Sequence, residues 1–173
     1  MEYKKIYVFV EGDDDIRFFE KIIKPKLQKK NYDIKITPYA NTTKKYFLNL
    51  LKSIKSMNYD YIYTRDINNA PCVTHKKRRI QKKITNIDEN KIIVVIKEIE
   101  AWYLAGLNNE CARKIKIGLL KNTDEITKEK FNDLIPKKFE RRDFMVEILK
   151  FFNIDIATHK NRSFKYFINK YDL

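Results

Sequence analysis

The period of hydrophobic and polar positions changes several times along the 173 residues, and each change marks an element. "KIYVFVEG" is a nearly continuous apolar run of strand length closed by Gly, the pattern of a strand buried on both faces. From Asp13 to Lys30 the period becomes helical. Ile16, Phe18, Phe19, Ile22 and Ile23 recur at helical spacing, with acids in the first turn and lysines in the last, as the helix dipole favours. "DIKITPY" predicts a second strand, "TTKKYFLNLLKSIKSM" a helix with Phe47, Leu48, Leu51 and Ile54 on one face, and "YDYIYTRD" a third strand. A basic helix over Cys72 to Lys83 follows. "KIIVVIKEIEAWYLAG" then begins as the most hydrophobic strand of the chain and turns helical near Glu98.

Strands alternating with helices predict the α/β class: an open, mostly parallel sheet, Rossmann-like, flanked by helices through right-handed crossovers. Ligands in such folds sit at the carboxyl ends of the strands. After Asn108 the strand signal stops, and helices are expected around 124–133, 141–152 and 160–171, with breaks at Pro136 and Asn153. No internal repeat, low-complexity tract or flexible linker interrupts the chain. The expected organisation is an α/β core over 1–106 and a helical C-terminal extension over 107–173 packed on the same domain.

Charge adds a partner class. Thirty-seven Lys and Arg against 23 Asp and Glu, a net charge of +14, favour a polyanion such as nucleic acid, or failing that an anionic membrane face. The competing reading is a compositional bias: the chain is rich in Lys, Ile and Asn and has 3 Gly, as AT-rich coding produces without selection for binding. Cys72 and Cys111 have no CxxC spacing and match no zinc pattern, which indicates a reducing compartment. The N-terminus is charged at Glu2, Lys4 and Lys5, and no stretch approaches the roughly 18 apolar residues of a membrane helix. A cytoplasmic protein without a membrane partner is the expectation.

The topology places acidic residues together. Glu11 falls at the carboxyl end of the first strand and Asp66 at that of the third, so both reach the same sheet edge. Asn68 lies two residues beyond Asp66, and Glu98 and Glu100 follow the fourth strand. Oxygen ligands of this kind suit a hard cation such as Mg²⁺, which takes one or two carboxylates plus water and substrate phosphates. A bound metal would reconcile these acids with so basic a chain, bridging to a phosphate that the lysines attract. Asp13 and Asp14 read as first-turn capping and dipole compensation. Glu11 directly follows an apolar strand, and its neighbour Gly12 permits close backbone approach.

"VFVEGDDD" resembles the Toprim signature, a hydrophobic strand followed by Glu-Gly-x-x-Asp, with Glu11, Gly12 and Asp15 in the matching positions. "YIYTRDIN" is similar to the second Toprim motif, a strand ending in Asp-x-Asp, with Asp66 in the first acidic place. "RDINNAPCVTHKK" and "EIEAWYLAG" are closer still to a Toprim-like family with Asp-x-Asp, a Cys followed by Lys, and Glu-Ala-Trp after the fourth strand. There Cys72, Lys76 or Lys77, Glu100 and Trp102 are the counterparts, and "NRSFKYF" resembles that family's closing Ser-Phe helix. The motifs span residues 5 to 106, and a more distant likeness extends to the OLD-family nucleases. Asn68 departs from the pattern, standing where a second Asp is expected; an amide oxygen still coordinates a hard cation, with one negative charge fewer.

The resemblance implies a Toprim-like fold and Mg²⁺-dependent (or Mn²⁺-dependent) hydrolysis of nucleic-acid phosphodiester bonds, DNA or RNA, in phage defence or mobile-element maintenance. It implies metal binding or acid/base work for Glu11 and primary metal ligation for Asp66. Asn68 and Glu100 take weaker ligand roles, Asp15 and Glu98 are secondary acidic candidates, and Lys76 or Lys77 meets phosphate or transition-state charge. A partner ATPase or a second copy of the chain would complete the assembly. Two further readings stay open. One is a non-catalytic nucleic-acid- or partner-binding module on a Toprim scaffold whose metal site Asn68 has degraded. The other is a phosphotransfer receiver, in which Glu11-Gly12 would replace the usual acidic pair.

"HKKRRIQKK" offers Lys76, Lys77, Arg78 and Arg79 for salt-dependent phosphate contact, against the ordinary alternative of a solvated helix face. His75 and His159 read as surface residues and Trp102 as core.

Overall fold

A computed structural model describes residues 4–173; Glu2 of the charged N-terminus lies outside them. The chain divides into two compact units, Met1–Val94 and Val95–Leu173.

The first unit carries strands β1 (Lys4–Val10), β2 (Tyr32–Pro38), β3 (Asp60–Asp66) and β4 (Ile92–Val95), the last ending at the unit boundary. They form one parallel sheet in the order β2-β1-β3-β4. This is the open, parallel α/β architecture that the alternation predicted and the fold class that the Toprim resemblance implied. In β1, Ile6, Val8 and Val10 alternate with Tyr7 and Phe9, and all five are buried, so the run is apolar without a polar face. Tyr7, Phe9, Tyr61, Tyr63, Ile92 and Val94 turn to one side of the sheet. There they meet Phe47, Leu51 and Ile54 of helix α3 (Lys44–Ser56) and Ile80 of helix α4 (Val73–Lys83). The helical stretch after β1 runs through α1 (Asp13–Phe18), a π-helical turn (Phe19–Ile23) and α2 (Lys24–Lys29) before the chain enters β2. Asn31, at a φ of 61°, makes that turn in the left-handed region Asn tolerates.

The second unit is helical. Every residue of α5 (Ile99–Ala105) is buried, the signature of a central helix rather than an amphipathic one. Helices α7 (Lys128–Asp133), α8 (Arg141–Lys150) and α9 (Ile154–Lys160) surround it, and α10 (Arg162–Tyr171) packs on α9. The helix expected from 124 begins four residues later, because Asn122 and Asp124 form a turn and Thr127 supplies the N-cap to Lys130 N. Asn153, read as a break, does separate α8 from α9 and caps α9 through Ile156 N, and Asn108 likewise caps α6 (Asn109–Lys114). Trp102 is fully buried; its indole N–H donates to Ser163 Oγ (2.8 Å), which donates to Asn161 Oδ1 (2.8 Å). The Glu-Ala-Trp and Ser-Phe segments therefore meet in one polar chain inside an aromatic core with Phe164 and Phe167. Among the described residues no helix is long and apolar enough to cross a membrane.

Candidate functional site

The parallel register brings the carboxyl ends of β1, β2 and β3 to one edge. Phe9 lies opposite both Thr37 and Tyr63, and the Tyr39 and Ala40 N–H groups continue the ladder to Val10 O and Glu11 O. Glu11 and Asp66 both stand there, as their sequence positions predicted. Glu11 Oε2 is buried and receives no hydrogen bond among the described residues; the nearest cation is Arg65 Nε at 3.9 Å. A buried carboxylate oxygen left in this way is costly unless a cation completes it.

Arg65, the penultimate residue of β3, was not singled out from the sequence, yet it sits at the centre of this edge. Its guanidinium lies 5.6 Å from the ring centre of Tyr39, which in turn stacks on Tyr63 at 4.9 Å and donates its hydroxyl to Thr64 O at 2.8 Å. Burial, with Tyr63 and Glu11 adding to it, holds the Tyr39 phenol far above its ordinary value, so it is a neutral donor. No sequence signal marked Arg65, because the groups that define its place, Glu11 and the Tyr39 ring, come from elsewhere in the chain.

Lys76, unlike the half-buried Arg65, is a buried cation. It reaches only 8% exposure on α4, whose N-cap is Cys72, its Sγ accepting from His75 N. Burial holds its ammonium below the ordinary lysine value; Arg65 and Arg79 push the same way, and Glu11 and Asp66 oppose them. Lys76 thus stands within the field of both strand-end carboxylates. Lys77 is half-buried, while Arg78 and Arg79 are exposed.

Beside the acids opens a cleft of about 450 Å³ lined by Lys44, Arg65, Lys76, Arg79 and Lys83, with Tyr63 in its wall. Among the described residues no carboxylate lines it. Lys76, Arg79, Ile80 and Lys83 face it together because their spacing follows one face of α4, and Lys77 and Arg78 do not line it. Asn68 lines the cleft too, exposed and in the left-handed region at a φ of 47°.

The other acidic candidates have partners of their own. Asp15 Oδ2 accepts from Gly12 N (3.3 Å), the carboxylate half of a capping box at the start of α1. Asp14 pairs with Arg17 at 2.7 Å. In the second unit, Glu98 precedes α5 and its carboxylate accepts from Lys128 N. Glu100 is buried against Arg141 at 2.6 Å; burial raises its carboxyl above the ordinary range, and Arg141 opposes that without cancelling it. Among the described residues no three His, Cys, Asp or Glu side chains gather to form a metal cage by themselves. His75 and His159 are exposed.

Comparison with solved structures places this fold. The chain is similar to the C-terminal region of the Burkholderia pseudomallei OLD protein, with a TM-score of 0.53 and 15% identity over 100% of both chains. The C-terminal region of the Xanthomonas campestris pv. campestris OLD protein matches at a TM-score of 0.45 and 13% identity over 98% of each. The fold is that of an OLD C-terminal region. No family model and no curated protein sequence matches the chain.

Proposed function

We propose that the protein is a Toprim-type, divalent-metal-dependent nuclease. The observation that carries this reading is Glu11 Oε2, a buried carboxylate oxygen without a hydrogen bond, on the same strand-end edge as Asp66 and next to a cleft lined by five cations. The donor set fits Mg²⁺ or Mn²⁺: hard oxygens from one or two carboxylates, with water and substrate phosphate completing the shell. Glu11 and Asp66 would hold the ion, which when bound supplies a nucleophilic water and neutralises charge on the phosphate. Lys76 and Arg65 would take up charge on the phosphoryl oxygens, and the neutral Tyr39 would keep Arg65 oriented. Likeness to an OLD C-terminal region supports the same class at the level of fold.

A binding module without catalysis is favoured by one specific feature: Arg65 already lies 3.9 Å from Glu11, where a metal would otherwise balance it, and Asn68 supplies no charge. Cleavage of end-labelled single- and double-stranded DNA and RNA with Mg²⁺ or Mn²⁺ separates the two. The nuclease reading expects metal-dependent products from the natural chain, lost in Glu11→Gln and Asp66→Asn while their melting temperatures are retained. Absence of products, with salt-sensitive binding intact in all three proteins, would leave the binding module.

A further inference from the structure

The cationic cleft carries more charge than contact with a continuous strand requires. Five cations border a space of about 450 Å³, near the low end of small-ligand pockets. A diester presents one negative charge per nucleotide. A terminal phosphate monoester presents about 1.5 to 2 charges at neutral pH on three oxygens.

The cluster is also costly to the fold without a ligand. Lys76, Arg79 and Lys83 repeat along one helical face, where like charges repel. Of the five, Arg65 alone has a carboxylate within ion-pair distance among the described residues. Lys76 is buried, so the inner end of this row is not simply solvated charge, while Arg79 and Lys83 are exposed. Arg65 and Lys76 belong both to the cleft and to the surroundings of Glu11 and Asp66, so an anion seated in the cleft lies beside the strand-end carboxylates.

We propose that this cleft binds the terminal phosphate of a nucleic-acid strand, so that the protein engages strand ends rather than internal positions. The inference deepens the nuclease reading by naming its substrate class, but the binding it describes requires no metal. Lys44 and Lys83 form the exposed rim, while Arg65 and Lys76 form the floor.

The test is a direct binding titration in EDTA with one fluorescent oligonucleotide carrying a 5′-phosphate, a 3′-phosphate or hydroxyls at both ends. One of the phosphorylated forms is expected to bind about tenfold tighter than the hydroxyl form, the equivalent of one charge-assisted contact. Lys44→Met with Lys83→Met should abolish that difference, whereas Lys29→Met, an exposed lysine of α2 outside the cleft, should preserve it. Equal affinity for all three oligonucleotides would overturn the proposal. Tripolyphosphate and a nucleoside monophosphate serve as competitors. If either displaces the phosphorylated oligonucleotide at or below the oligonucleotide's own dissociation constant, the cleft takes a free phosphate compound and the strand-end assignment fails. Because EDTA is present throughout, loss of the nuclease reading would leave these outcomes unchanged.

Discussion

Lys76→Met separates stability from binding more cleanly than any other single change. The ammonium is buried on α4, and burial together with Arg65 and Arg79 outweighs the attraction of Glu11 and Asp66, so the folded protein holds this proton less tightly than the unfolded chain. Between the lowered folded value and the ordinary lysine value of 10.5, the unfolded state binds more protons, and stability therefore rises with pH. Below that window the full cost of the buried charge is present. Methionine keeps the length and apolar stem and removes the charge. Replacing buried charge with a well-packed apolar side chain is typically neutral to stabilising by about 1–4 kcal/mol; with carboxylates nearby to offset part of the cost, about 1 kcal/mol is expected here. Chemical denaturation at pH 7, 9 and 11 should show the variant more stable at pH 7, with the gap closing toward pH 11. The same substitution should weaken nucleic-acid binding and lower the salt slope by about 0.7 to 0.9 for one lost phosphate contact. A variant less stable than wild type at pH 7, or a gap constant across pH, would refute the account of Lys76 as a strained resident of an anion site.

Other positions give independent checks. Glu100 has its carboxyl raised by burial despite Arg141, so the folded state binds the proton more tightly; stability from this group is present at low pH and lost as pH rises through the raised value. Glu100→Gln should therefore match wild type near pH 4 and gain on it by pH 7 in thermal melts. Ser163→Ala removes the acceptor of the buried Trp102 N–H and should cost about 1–3 kcal/mol by urea denaturation, without affecting oligonucleotide affinity. Gly106 ends α5 with Phe152 against it, and a Cβ there would overlap the ring; Gly106→Ala should cost about 1–3 kcal/mol, recovered in part by Phe152→Leu.

Most of the first unit was legible because its signals are local. A doubly buried strand reads as an unbroken apolar run, and β1 and β4 each show one, while β3 shows a shorter one over Tyr61–Tyr63. From strand ends alone, Glu11 and Asp66 follow at the same edge. Arg65 was not legible by those rules, since its role depends on the residues just after β1 and β2: Glu11 at 3.9 Å and the Tyr39 ring. The choice between Lys76 and Lys77 likewise rests on a rotation of about 100° around α4, which charge counting cannot see. The cleft lysines Lys44 and Lys83 come from the start of one helix and the end of another. In the second unit the break expected at Asn153 is present, but α6 and α9 went unseen, because short helices started by the polar caps Asn108 and Asn153 carry little periodic signal.

The resident cations make one further prediction about order of binding. Around the strand ends, Arg65 and Lys76 already balance part of the charge of Glu11 and Asp66, so an incoming divalent ion meets like charge as well as ligands. A phosphate in the adjacent cleft would draw Arg65 and Lys76 toward itself and return negative potential to the carboxylates. Metal and nucleic acid should therefore bind with positive coupling, and the linkage must be reciprocal: the factor by which an oligonucleotide tightens Mn²⁺ is the factor by which Mn²⁺ tightens the oligonucleotide. Couplings of this kind are typically about 5- to 150-fold. Calorimetric Mn²⁺ titrations with and without an uncleavable phosphorothioate oligonucleotide measure one arm, and fluorescence titrations of that oligonucleotide with and without Mn²⁺ measure the other. Arg65→Met should raise Mn²⁺ affinity of the free protein and shrink the coupling, because the ion would no longer compete with a cation built into the strand. Tight Mn²⁺ binding to the free wild-type chain, unchanged by oligonucleotide, would show that Arg65 does not occupy the metal's electrostatic place.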